Sequence, residues 1–155
     1  MDDRWFRLGD HRRYPIPKEG SAMEQFGFVD DNDMCSLYLV ERNPVDRTKP
    51  VEMIRVHVHA SGCVAGVNVD AASWVGFVQL FSHDYLEQVA RTWVAPNGEW
   101  QLTIEKSDDG TFLITSGIDS LHSLHRWKIN LAFTMSAARF RHTAAGVIEF
   151  VGTAV

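Results

Sequence analysis

Large apolar residues change their spacing part-way along this chain. Trp74, Phe77, Val78, Phe81, Tyr85, Val89 and Trp93 recur at steps of three and four; Trp100, Leu102 and Ile104 then recur at steps of two. The first spacing lays side chains along one stripe of a helix, and the second lays them on one face of a strand. The change falls across Pro96-Asn97-Gly98, residue types that favour a turn. The pattern predicts a long central helix over about residues 71–92, capped by Asp70, with a break conceivable near Ser82–Asp84. A strand follows it, and the fold class is α+β.

Alternation elsewhere supplies the remaining strands. Leu37 and Leu39 share one face of a strand over about 34–41, and Tyr38 and Val40 share the other. Ile54, Val56, Val58 and Ala60 alternate with Arg55, His57 and His59. Past Ser61-Gly62, the run Cys63, Ala65, Val67 and Val69 alternates again, which makes a hairpin with one apolar face. A second hairpin is predicted from Trp100–Lys106 and about 111–118, joined at Asp108-Asp109-Gly110. Trp127, Ile129, Leu131, Phe133 and Met135 give the strongest alternation. The tail, about 137–151, reads as a helix with Phe140, Ala144, Val147 and Val151 on one stripe, although its β-branched content also allows a strand.

These signals predict a single domain over 34–155, preceded by a partly irregular extension at 1–33. The expected fold is one antiparallel sheet of five or six strands, packed by the long central helix and a C-terminal helix. The expected core is Trp74, Phe77, Phe81, Val89, Trp127, Ile129 and Leu131.

The formal net charge is −5, which argues against a general nucleic-acid binder and suits a basic protein partner. The N-terminus lacks an apolar leader, and no apolar run approaches the length of a membrane span, so a cytoplasmic location and no membrane partner are expected. Cys35 and Cys63 belong to no CxxC pair and read as buried thiols.

Catalytic signatures are sparse. His57 and His59 would share a strand face, a spacing that metal sites use, but no carboxylate follows them and Arg55 shares the face. His122 and His125 fall in a polar loop near Asp119, Ser120 and Ser123, without a nucleophile elbow. There is no phosphate loop or dinucleotide motif, so neither cofactor nor metal is expected. The remaining candidates are partner contacts. Asp30, Asp31, Asp33, Asp108 and Asp109 would meet a basic surface, and Trp5 and Tyr38 would serve as aromatic anchors.

The hairpin, the helix opening Trp74-x-x-Phe77, Trp93, the Asp109-Gly110 turn, the Trp127 strand and the terminal helix together resemble a bacterial family of domains of unknown function (number 6228). The likeness covers about 56–150. Thr111 departs from it, standing where a His often follows the turn glycine, as does the long N-terminal extension. That family implies no activity and no site residues. Size, charge and layout also resemble immunity proteins of bacterial toxin systems. The expected function is therefore a non-enzymatic protein that binds another protein, with toxin neutralisation by occlusion as the specific form. A small His-dependent or metal-dependent enzyme and a structural subunit or small-ligand carrier are the alternatives. Oligomeric state is left open.

Overall fold

The computed structural model describes residues 25–32, 35–60, 63–70, 74–81, 90–121, 124 and 126–152. Two four-stranded antiparallel sheets form, each a meander of chain neighbours. The first holds β1 (Gln25–Val29), β2 (Cys35–Asn43), β3 (Met53–Ala60) and β4 (Cys63–Asp70). A short helix, α1 (Trp74–Gln79), follows it. The second sheet holds β5 (Ala90–Val94), β6 (Trp100–Lys106), β7 (Phe112–Asp119) and β8 (Lys128–Met135), and α2 (Ala137–Val151) follows that. The α+β class stands, but the single sheet of five or six strands does not.

The long central helix is also overturned. Only six residues form α1, and Trp93 lies in β5 instead. The spacing misled because Trp93 satisfies both periods. It continues the steps of three and four from Trp74, and it also stands at steps of two from Arg91 and Ala95. Thr92, Trp93 and Val94 are β-formers, and in-register partners Thr103, Leu102 and Gln101 decide the outcome. The predicted cap Asp70, the break near Ser82 and core residue Val89 lie outside the described side chains. β1 was hidden in the supposed extension, although Phe26 and Phe28 alternate around Gly27 as a strand requires.

One core serves both sheets and both helices. Trp74 and Phe77 of α1 meet Trp100 of β6, with ring centroids at 6.3 and 5.2 Å. Phe28 of β1 meets Phe81 at 5.9 Å and Phe133 of β8 at 6.4 Å. Within the second sheet, the Trp100 indole N–H donates to the buried Ser116 hydroxyl at 2.9 Å, so a polar pair sits satisfied inside an apolar layer. Trp127, Ile129 and Leu131, expected in the core, are only half-buried. Ile129 and Leu131 belong to β8, an edge strand paired on one side alone, and Trp127 directly precedes it; all three pack against the core from its margin.

The α2 stripe of Phe140, Thr143, Ala144, Val147, Phe150 and Val151 is buried. Ser136 caps its first turn by accepting from the Arg139 N–H. Gly146 permits close approach to β1, for a Cβ there would stand 2.2 Å from the Phe26 ring.

A β-bulge shapes the far end of α2. The β2–β3 register slips between Val40 and Arg42, with Glu41 at φ 51°. One extra residue exchanges the faces of everything beyond it. Arg42 thereby shifts from the outward phase of Tyr38 and Val40 to the inward phase of Ile54. Its buried guanidinium donates to Val151 O (2.8 Å), Asp46 O (3.1 Å), Lys49 O (2.7 Å) and Pro44 O. The last turn of α2 carries no cation of its own. Arg42 supplies one at the negative end of the helix dipole.

Candidate functional site

Strand register assembles a polar trough on the outward face of the second sheet. Inward positions are apolar apart from Ser116: Trp100, Leu102, Ile104, Ile114 and Ile118 are buried. Outward positions carry short polar groups. One row runs across all four strands as Val94, Gln101, Gly117 and Asn130; the next runs Thr92, Thr103, Thr115 and Ala132. Gly117 leaves a gap in the row, and the Asn130 side-chain oxygen leans over it, within 3.0 Å of where a Cβ would be. The resulting depression has a volume of about 290 Å3 and is bounded at one end by Gly98. Asp119 and Lys128, opposite each other in the β7–β8 ladder, also line that end.

The carboxylate at that end is already engaged. Asp119 takes both Arg126 Nε (3.1 Å) and Nη2 (2.8 Å). These bonds hold its carboxyl below the ordinary value; burial opposes them, and the Arg126 and Lys128 charges add to the lowering. The Thr103 and Thr92 hydroxyls share a hydrogen bond at 2.9 Å. By contrast, the Gln101 and Asn130 amides and the Thr115 hydroxyl make no side-chain hydrogen bond to any described residue. Exposed apolar groups border the region: Val94 in the same cross-strand row, and Leu121 packed at Gly98.

The acids singled out in the sequence fall at the opposite end of this sheet. Asp108 and Asp109 form the β6–β7 turn, where Gly110 adopts φ 83°. Asp109 accepts from the Thr111 hydroxyl (2.6 Å) and N–H (2.9 Å), and these bonds lower its carboxyl pKa. Phe112 pairs with Met135, which brings that turn to the same end as the β8–α2 junction. Asp31 reaches this junction from the β1–β2 turn, accepting from Ser136 N–H at 2.8 Å. Asp30 accepts from Asn32 N–H at 3.0 Å. The fold thus places Asp30, Asp31, Asp108 and Asp109 at the same end. Asp33 and Trp5 lie outside the described residues, as do His122 and His125. Tyr38 is only 6% exposed, its ring 4.8 Å from that of His59, so it is no surface anchor.

His57 and His59 do share the outward face of β3 with Arg55, as the alternation predicted. Arg55 pairs with Glu41 at 2.9 Å. Among the described residues no cluster of three or more His, Cys, Asp or Glu is placed to hold a metal. Burial lowers the pKa of both imidazoles. At His57 the Arg55 charge adds to this, as His59 does weakly, and Glu41 opposes it.

That shift has a sign. The unfolded chain binds protons at these histidines before the folded chain does, as pH falls through the ordinary value of 6.5. Their contribution is complete above that value and is lost on acidification toward their lowered folded values. Thermal melts from about pH 7.5 to about pH 5 are expected to show a falling Tm. The His57→Gln/His59→Gln double variant should show a flatter profile over that window. The loss from Asp46, Asp109 and Asp119, whose carboxyls are also lowered, belongs below about pH 4. An equal slope in the double variant would refute the assignment.

Sequence reasoning missed the trough. Alternation does mark Gln101, Thr103, Thr115 and Asn130 as outward-facing, and a glycine inside a strand marks a gap. Nothing in the sequence shows that the gap and the two amides share one cross-strand row. No helix among the described residues is long and apolar enough to cross a membrane. Comparison with protein-family models, curated proteins and solved structures finds no match.

Proposed function

We propose that this chain binds another protein through its acidic end, in the manner of an immunity protein that occludes a basic toxin domain. The observation that carries this reading is the convergence of Asp30, Asp31, Asp108 and Asp109 from two turns distant in sequence. Their turns are fixed by the Asx-type bonds at Asp30 and Asp109 and by the Asp31–Ser136 link. Charges fixed in advance cost little ordering on binding. Carboxylates gathered at one end, where Lys106 is the neighbouring cation on β6, accelerate encounter with a basic surface. The overall charge of −5 acts in the same direction.

The test starts from the partner. Tagged protein recovered from its native cell should carry a basic protein, and a toxin domain encoded by the neighbouring gene is the first candidate for co-expression rescue and co-purification. With that partner in hand, Asp30→Lys/Asp108→Lys should slow association by about tenfold at low salt and flatten its dependence on ionic strength. Unchanged association would show that the acidic end takes no part. Failure to recover any protein partner, or light scattering that shows only a stable self-assembly, would favour a structural subunit and end this reading.

A further inference from the structure

The acidic end and the trough differ in one chemical respect. Asp30, Asp31 and Asp109 spend their carboxylates on their own turns and junction. The amides of Gln101 and Asn130 and the hydroxyl of Thr115 line a concavity with their hydrogen-bonding capacity unspent among the described residues. From these groups we infer a small-molecule site in the trough, for an uncharged, hydroxyl-rich ligand the size of a single sugar ring.

Three observations narrow the ligand to that class. First, side-chain amides and hydroxyls both donate and accept, so they match ligand hydroxyls, which do the same. Second, the central groups are neutral, and the two charges that line the end of the trough, Asp119 and Lys128, stand opposite each other in the β7–β8 ladder, with the carboxylate also held by two Arg126 bonds. Third, the size fits. Gln101 and Asn130 stand on strands that flank Gly117, about two strand spacings or 9–10 Å apart. The gap between them lies within a volume of about 290 Å3, near the lower bound for small-molecule sites. Val94, half exposed in the same row, offers methyl groups to the C–H face of such a ring.

Gly117 provides the decisive variant. Its backbone has no unusual φ, valine suits a strand, and the atom a side chain would press against is the exposed Asn130 amide. Gly117→Val should fold while filling the floor. The experiment is a titration of the full chain with glucose, galactose, mannose and N-acetylglucosamine, followed by NMR on the side-chain amide signals of Gln101 and Asn130. At least one sugar should give saturable shifts at these two residues and at Thr115. Asn130→Ala should weaken the affinity by about tenfold, the loss expected when a hydrogen-bonding group is removed. Gly117→Val should abolish the shifts while keeping a cooperative melt. No saturable shift with any of the four sugars would overturn the proposal, as would shifts that survive in Gly117→Val. Saturable binding of inorganic phosphate instead, lost in Lys128→Ala, would assign the trough to anions and also overturn it. None of these outcomes depends on a protein partner, so this site and the acidic end can fail separately.

Discussion

Replacing Arg42 with methionine is expected to destabilise the protein by about 3–5 kcal/mol. A hydrogen bond from a charged donor is worth about 1.5–3 kcal/mol, and the four bonds here do not add, because water can reach part of the 44–49 loop once the side chain is gone. The end of α2 suffers most. Val151 O lies 109 positions from Arg42 in the chain and receives its Nε at 2.8 Å in a buried setting. Methionine keeps the apolar stem and removes only the fork. For a domain of this size the loss should lower Tm by about 10 °C. Burial, and then the Arg47 charge, lower the Arg42 pKa from its ordinary value, partly offset by Asp46, yet a guanidinium starts so high that it remains a cation. Charge alone is not what the site needs. Lysine offers three donors around one point and cannot span four carbonyls, so Arg42→Lys should recover less than half of the loss. Urea melts in which Arg42→Lys equals the parent would refute this account.

Phe140→Ala is expected to cost a further-reaching 3–5 kcal/mol, about the usual range for truncating a buried phenylalanine. The ring stacks on Phe112 of β7, with centroids 4.1 Å apart and planes 11° from parallel. Its other neighbour is Phe81, just past α1, at 5.9 Å and 19°. It is 2% exposed, so no solvent reaches the space that its removal would leave. Because the ring joins α2 to both the second sheet and the segment after α1, the damage should not stay local. Phe140→Leu should lose about 1–2 kcal/mol, since most of the volume is retained. A loss under about 1 kcal/mol for alanine in urea melts would mean that the surrounding rings collapse into the space.

Part of this architecture was legible because local rules agreed. The hairpin of β3 and β4 and that of β6 and β7 carry alternating apolar residues, and Gly110 stands where positive φ is needed. The stripe on α2 survived because its spacing admits no strand reading as good. The failures occurred where one residue satisfied two rules. Trp93 fits a helix stripe from Trp74 and a strand face beside Leu102, and only pairing with β6 decides between them. The bulge at Glu41 had no sequence signal, since a glutamate at positive φ is not what that geometry selects, so the inward turn of Arg42 could not be foreseen. The Asp30, Asp31, Asp108 and Asp109 cluster was named residue by residue, but its convergence depends on the Phe112–Met135 pairing. The trough was hidden for a simpler reason. Outward polarity looks the same in sequence whether a sheet face is flat or hollow.

The order of the strands also sets a timetable. Every ladder among the described residues joins strands adjacent in the chain, so each meander can zip from its hairpins with short loop closures. The contacts of α2 with β1, and the Arg42 bond to Val151, bridge most of the sequence and reward the chain only after that long loop has closed. Substitutions in the β6–β7 hairpin should then slow refolding. Gly146→Ala, which presses on Phe26 at the α2–β1 contact, should chiefly speed unfolding. Helix α2 is thus the clasp, fastened last and released first.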